Sequence, residues 1–387
     1  MRKLPPPVQH EWPRLVIEAL FLRAKGNYGY REYFLNILNY LIEHSEELHY
    51  SQVIIATGER AIEVLPEKLP DNFYVDTVKV EKPYQTYWQL NRLAKRFNLN
   101  RNDVIMFTSD MTALVKSCKH LMVIHDWLYL RKNLAPNWLF RLQRSIFVPR
   151  SAKLADKIIT ISQWVKDDVI EHSSLNQEKI VPIYNYLDYN KYKTGVVSDY
   201  YKDFCEKNGY FLAVSASGRH KNLPTVLLAY KQYLEKDKSG VPKKLVLVGS
   251  FSGESKDVFD NQNDEFKKNV YQLKNVSNRD LGYLYENASA FISATLFEGF
   301  GMPIAEAMYF GIPVVVSDIP VVREITGNKA VYFNPMDCEK LSEIMLNIDS
   351  TVIDSDGKEI VARLFSKENT VAQYLKVINS MNDLQTK

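Results

Sequence analysis

The chain has 387 residues, 46% of them hydrophobic and 25% charged, which suits a soluble globular protein with two domains rather than a single core. A net charge of +3 gives no reason to expect a nucleic-acid partner. No run is long and apolar enough to span a bilayer. The three cysteines, Cys118, Cys205 and Cys338, have neither disulfide nor metal-ligand spacing, so a reducing, cytoplasmic setting is expected.

The leader 1–13 has basic residues followed by prolines and charges, not the apolar stretch of a signal peptide. In chain order, RLVIEALFL (14–22) then reads as a first buried strand, and KGNYG (25–29) breaks it. YREYFLNILNYLIEH (30–44) has apolar residues at helical spacing. Strands are expected at 51–58 and 73–80, a helix at 84–98, and strands at 103–109 and 120–126. A basic amphipathic helix follows at 138–152, then a strand at 157–162, a helix at 164–172 and a strand at 179–185. The polar, aperiodic stretch 186–209 marks a linker, drawn at 191–209.

Beyond it the alternation resumes. Strands are expected at 210–217, 243–250, 289–295, 313–317 and 330–334. Helices are expected at 222–236, 279–288, after Pro303, and at 320–326, 337–348 and 370–382. Near-continuous apolar strands alternating with helices indicate parallel sheets covered on both faces. The chain is therefore divided into an amino-terminal α/β domain (1–190), the linker (191–209), a second α/β domain (210–365) and a terminal helix (366–387) that can pack back on the first. Such folds bind ligands outside the carboxyl ends of their strands.

The stretch EGFGMPIAEAM (298–308) is a strand–loop–helix junction. Gly299 and Gly301 let the backbone approach a ligand, and Pro303 suits a first helical turn, where its missing N–H would be unpaired anyway. The free amides around 301–304 and the helix dipole form a place for phosphate. Glu306 projects from the helix, where a carboxylate can grip a diol such as ribose. Taken alone, Glu306 has a second reading, as an acid that complements its helix dipole.

Together with the apolar strand that follows, E-G-F-G-x-P-x-x-E-A-M-x-x-G-x-P-V-V-x-S resembles the E-x7-E region of retaining GT-B glycosyltransferases, specifically family 4. The resemblance implies two Rossmann-like, doubly wound parallel-sheet domains facing a central cleft. It implies that Glu298, Phe300, Gly301 and Met302 meet the donor sugar and diphosphate, and that Glu306 binds the ribose. SASGRHKNLPTVLLAY (215–230) resembles the family's segment with a basic pair on the donor diphosphate, here Arg219 and Lys221, with His220 where many relatives carry another basic residue. Fixed cations there would stabilise the charge that grows on the leaving diphosphate.

VIHDW (123–127) resembles the family's strand-end His-Asp: His125 would face the donor sugar, and Asp126 would orient it or contact acceptor. In ADKIITISQWVKDDVI (155–170), Ser162 has two readings, a cleft residue near the acceptor or a helix N-cap. KGNYG stands where the family has a glycine-rich loop, so Gly26 and Gly29 would approach donor or acceptor.

The implied activity is a retaining, hexosyltransferase-like transfer from a nucleotide-sugar to a hydroxyl of a glycan or lipid-linked acceptor, in cell-surface polysaccharide assembly. No cofactor, metal or nucleic acid is implied. The helix at 138–150, with Arg141, Arg144 and Arg150 among Trp138, Leu139, Phe140, Ile146 and Phe147, has two readings: a core-packed helix with a basic outer face, or a peripheral contact with the inner face of a membrane. The DSD at 354–356 sits in a polar turn and reads as solvated rather than metal-binding. Two other functions fit the same fold, a nucleotide-sugar epimerase and a non-catalytic nucleotide-sugar binder. The donor base leaves no readable signature in the residues.

Overall fold

The computed structural model describes residues 13–22, 28–79, 88–204, 207–215, 218–350 and 356–382. Gly26, Cys205, Asp354 and the first residues of the helix expected at 84–98 lie outside these stretches. The chain divides into two units. The first takes residues up to Trp127, then Leu139–Tyr186, and resumes at Phe365; the second takes Leu128–Trp138 and Leu187–Leu364.

The first unit is built on strands β1 (Arg14–Ala19), β2 (Gln52–Gly58), β3 (Phe73–Val78), β4 (Val104–Phe107), β5 (Lys119–Ile124), β6 (Lys157–Thr160) and β7 (Ile180–Pro182). They form one seven-stranded sheet in the order β3-β2-β1-β4-β5-β6-β7, and every neighbouring pair is parallel. Val16, Ile54, Ile105, Met122 and Ile159 are completely buried, which is why these strands read as unbroken apolar runs. Each such side chain contributes about 1.5–3 kcal/mol by leaving water. The winding reverses between β1 and β4, where Glu18 pairs in register with Phe107. The carboxyl ends at such a reversal leave a crevice.

The second unit carries β8 (Tyr210–Ser215), β9 (Lys244–Gly249), β10 (Val270–Leu273), β11 (Ala290–Ser293), β12 (Val314–Ser317) and β13 (Val331–Phe333). The order is β10-β9-β8-β11-β12-β13, again all parallel, with the reversal between β8 and β11. Phe211, Tyr230, Tyr233, Ile292, Val315 and Leu341 belong to its core. The Tyr230 hydroxyl keeps within reach of the carbonyls of Lys243 (2.9 Å) and Asn269 (3.2 Å), so a buried phenol fastens its helix, Leu223–Lys236, to the residues that directly precede β9 and β10.

Several elements depart from the sequence expectation. The stretch drawn as linker holds a short helix, Asp199–Phe204, and part of a 3-10 turn, Tyr189–Tyr192, both in the second unit. β10 and the helices Glu254–Asp260, Asp264–Asn269 and Asp356–Leu364 were not anticipated. The terminal helix, Val371–Ser380, belongs to the first unit. It is tied there by a hydrogen bond between the Tyr33 and Tyr374 hydroxyls (3.0 Å), by the Tyr50 hydroxyl donating to the Ile378 carbonyl (2.6 Å), and by Lys119 Nζ donating to the Met381 carbonyl (2.7 Å). Among the described residues no helix is long and apolar enough to cross a membrane.

Candidate functional site

In the second unit, the segments that follow β8 and β11 meet at the reversal point. After β8 a short turn, Arg219–Lys221, precedes the Leu223–Lys236 helix. Asn222 joins them in the left-handed region (φ 50, ψ 43), which asparagine tolerates better than most residues. Its side-chain amide donates to the carbonyls of Ala294 (3.0 Å) and Pro335 (2.7 Å). The basic turn is thereby clamped to the ends of β11 and β13. The Leu296 amide adds a bond to the His220 carbonyl at 2.7 Å.

This clamp sets Lys221 against Glu298, with Nζ donating to Oε1 at 2.6 Å and both side chains largely buried. The Thr295 hydroxyl lies 3.0 Å from the same carboxylate oxygen. Arg219 is exposed, and its guanidinium makes no hydrogen bond or ion pair with a described residue.

The helix Met302–Phe310 opens immediately after Glu298–Gly301. Gly301 is its N-cap, at φ +98, a backbone conformation that any side chain would strain. With no capping side chain in place, the amides at 301 and 302 and the positive end of the dipole face outward from the helix start. Phe300 is buried to 3% exposure, so its ring is not open to a ligand. Met302 is half-buried.

One turn on, Glu306 is almost wholly buried. The Tyr285 hydroxyl donates to its Oε2 at 3.0 Å, and Lys191 Nζ stands 3.8 Å from its Oε1. Burial, and then the neighbouring Glu306 charge, pushes the Tyr285 phenol well above its usual range and keeps it a donor. Neither Tyr285 nor Lys191 was singled out from sequence. Both come from segments far from the EGFG stretch, and nothing local marks them. Asn222 was also missed, although an asparagine directly before Leu-Pro at a helix start was a usable sign.

In the first unit, His125 follows β5 and is half-buried. Its Nε2 lies 2.9 Å from the Thr108 carbonyl, and the rings of Tyr33 (4.5 Å, 79°) and Tyr30 (5.7 Å, 60°) pack against it edge to face. Burial lowers its pKa, so the ring stays neutral near pH 7. Asp126 is half-buried beside it. Ser162 is fully buried, and its hydroxyl accepts the Val165 amide at 3.1 Å. The N-cap reading therefore replaces the acceptor-contact reading: the oxygen is spent inside the fold. Gly29 is exposed, with open space where a Cβ would stand, so no close approach in the chain itself demands glycine there. Asp168, Glu171 and His172 on the helix Gln163–Glu171 and its end bring potential ligand atoms within 4.8 Å of one another, but they are apart from the residues above.

Two all-parallel Rossmann-like sheets, one carrying a glutamate–lysine pair on either side of a glycine-capped helix start, define the GT-B class of glycosyltransferase. Residues 36–191 match the family Glycosyltransferase Family 4, and residues 202–348 match Glycosyl transferases group 1. An O-antigen chain mannosyltransferase, RfbU, of Salmonella typhimurium is 30% identical over 266 residues, covering 68% of this chain and 69% of that protein. The chain belongs to glycosyltransferase family 4.

A serotype-specific mannosyltransferase, WbdA, of Escherichia coli is 28% identical over 241 residues, which is 57% of this chain and 29% of that longer protein. Among solved structures, Anabaena Alr3699/HepE in complex with UDP superposes with a TM-score of 0.67 at 17% identity, covering 95% of this chain and all of that one. A trehalose-phosphate synthase from Burkholderia vietnamiensis gives 0.70 at 12% identity, covering 98% and 99%. At these identities the likeness is one of fold.

Proposed function

We propose that this glycosyltransferase moves a mannosyl residue from a nucleotide-diphosphate sugar to a hydroxyl of a growing glycan or lipid-linked acceptor, with retention of configuration, in the assembly of a cell-surface polysaccharide. The observation that carries the donor reading is the placement of Glu298 and Glu306 on either side of the Gly301 helix start, with Arg219 and Lys221 alongside. The sugar and the setting are taken from the names of the relatives, which are O-antigen and serotype-specific mannosyltransferases.

On this reading the diphosphate lies at the helix start, where backbone amides and the dipole favour negative charge. Arg219 binds it directly. Lys221 turns from Glu298 towards the bridging oxygen as the bond to the sugar breaks, so its attraction grows in the transition state. Glu298, freed from part of that pairing, accepts sugar hydroxyls, and Glu306 accepts from the ribose. The acceptor attacks from the face that the diphosphate leaves, and the departing phosphate takes the acceptor proton. No metal is required, because the two cations supply the charge. The first unit binds the acceptor, with His125 and Asp126 at the end of β5 as its candidate contacts.

We further place the enzyme in the cytoplasm, touching the inner face of a membrane through the helix Trp138–Leu154. Trp138 (72%), Leu139 (59%), Leu142 (50%) and Ile146 (40%) are exposed along it, beside Arg141, Arg150 and Lys153. Each such cation near an anionic surface contributes about 1 kcal/mol. Sedimentation with anionic but not neutral vesicles is expected, and equal recovery with both would overturn this.

The deciding experiment is thermal stabilisation by a panel of UDP-, GDP- and dTDP-sugars in EDTA, followed by product analysis with a glycan acceptor. One nucleotide family should stabilise the protein, Glu306→Ala should abolish the effect, and the product anomer should match the donor. Absence of any shift, with or without acceptor, would refute the donor site. Donor interconversion without acceptor would instead mark an epimerase.

A further inference from the structure

The turn Tyr189–Tyr192 lies against two helices of the second unit, Asn278–Asn287 and Met302–Phe310, and both of its ends are fixed. At one end the Tyr189 ring stacks on Tyr309, with centroids 3.5 Å apart and planes 4° from parallel. At the other, Tyr192 meets Tyr285 and Phe310 edge to face, and its carbonyl accepts from the Arg279 guanidinium at 3.2 Å. Gly282 allows this close approach, since a Cβ there would stand 2.8 Å from Tyr192 Cβ and 3.0 Å from its carbonyl oxygen. Lys191 is carried between these anchors, which set its ammonium beside Glu306.

The 3.8 Å between Lys191 Nζ and Glu306 Oε1 is too long for a hydrogen bond from one to the other. It is a spacing at which a single oxygen can touch both. An ammonium has only protons to give and a carboxylate only lone pairs. The group that satisfies them together must donate to one and accept from the other. A hydroxyl does this; an ether, a fluorine or a bare carbon does not. Oε2 already accepts from the Tyr285 hydroxyl at 3.0 Å and keeps a further lone pair for a neighbouring hydroxyl. The side chains of Glu306 and Lys191 retain 6% and 15% of their exposure, so the pair is not sealed from solvent.

We propose that Lys191 is a ribose-binding residue: one ribose hydroxyl donates to Glu306 and accepts from Lys191, so the site takes nucleoside diphosphates with an intact vicinal diol and discriminates against their deoxy forms. This rests on the reading of Glu306 as the ribose contact. What it adds is a second, cationic partner for one hydroxyl of the two, drawn from the turn that opens the second unit. The other hydroxyl meets the carboxylate alone.

The test is calorimetry on the full chain in EDTA, with UDP and GDP and the 2′-deoxy and 3′-deoxy forms of each. In the unaltered protein, loss of the shared hydroxyl should raise Kd about a hundredfold, since two bonds to charged groups go with it, and loss of the other about tenfold. In Lys191→Met the larger ratio should fall to about tenfold while the smaller one holds. Lys191→Gln, which keeps a donor without the charge, should fall between, and it reads the same contact where Lys191→Met does not fold.

A lysine that only steadied Glu306 would weaken both ratios alike. One that met a phosphate would weaken every nucleotide equally and leave both ratios unchanged. Either result, in a protein that binds the parent nucleotide, would overturn the proposal and leave the donor reading standing. Failure of the folded, unaltered protein to bind UDP, GDP or any of their sugars would overturn the donor reading and the proposal with it.

Discussion

Replacing Tyr285 with phenylalanine isolates the support given to Glu306. The ring is completely buried, stacks on Phe310 at 5.2 Å and meets Tyr192 edge to face, and phenylalanine keeps those contacts. Only the hydroxyl that reaches Glu306 Oε2 at 3.0 Å is lost. A hydrogen bond to a charged, buried acceptor contributes about 1.5–3 kcal/mol. Lys191 at 3.8 Å offsets little of the loss, because it stands nearer the other oxygen. The second unit should therefore unfold about 1.5–3 kcal/mol more easily, a fall of roughly 3–12 °C in its transition.

Chemical unfolding, fitted with separate transitions for the two units, reads the change. Repeating the pair in a Glu306→Gln background completes a double-mutant cycle. There the cost of Tyr285→Phe should shrink to the roughly 0.5–1.5 kcal/mol of a neutral bond. A loss below about 0.5 kcal/mol in the unaltered background would mean that the hydroxyl does not sustain the carboxylate.

Three further outcomes follow from the same geometry. Gly301→Ala forces a side chain onto φ +98, so it should destabilise by roughly 1–2 kcal/mol and weaken nucleotide-sugar binding in calorimetry. Lys221→Ala should lower kcat by about a hundredfold or more, with a smaller change in donor KM, because under the proposed mechanism its attraction grows as the diphosphate leaves. His120 concerns stability: neither ring nitrogen makes a hydrogen bond with a described residue in a fully buried position, and burial lowers its pKa from 6.5 to about 4. The unfolded chain then binds a proton that the fold refuses. Stability is complete above about pH 7 and falls by about 3 kcal/mol as the pH drops to about 4. His120→Leu should flatten that slope in urea titrations run from pH 7 to about pH 4.

The alternation of parallel strands and helices was legible because doubly covered strands must be apolar on both faces, as KIIT and VVVS are. The helix start in EGFGMPIAEAM was legible because glycine, proline and glutamate there each have a local physical reason to be present. What lay beyond the sequence depends on chain segments meeting across the fold. VYQL of β10 is only four residues long and follows directly on the polar helix Asp264–Asn269, so it does not announce a strand; it is one because β9 pairs with it. Glu18 sits inside RLVIEALFL, where the pattern says strand interior and the residue type says surface. The fold resolves the conflict with the Leu20 amide at 2.6 Å from its carboxylate, while burial raises its pKa to about 7. Tyr285 and Lys191 reach Glu306 only after the second unit has formed.

The return of the helix Val371–Ser380 to the first sheet has a consequence for synthesis. A ribosome delivers β1 to β7 early, yet the partners of Tyr33, Tyr50 and Lys119 at Tyr374, Ile378 and Met381 emerge hundreds of residues later. Domains that are contiguous in sequence can close as they leave the exit tunnel. Here the first unit cannot close its contacts with Tyr374, Ile378 and Met381 until those residues have emerged, whereas the second unit has all its residues once Leu364 has.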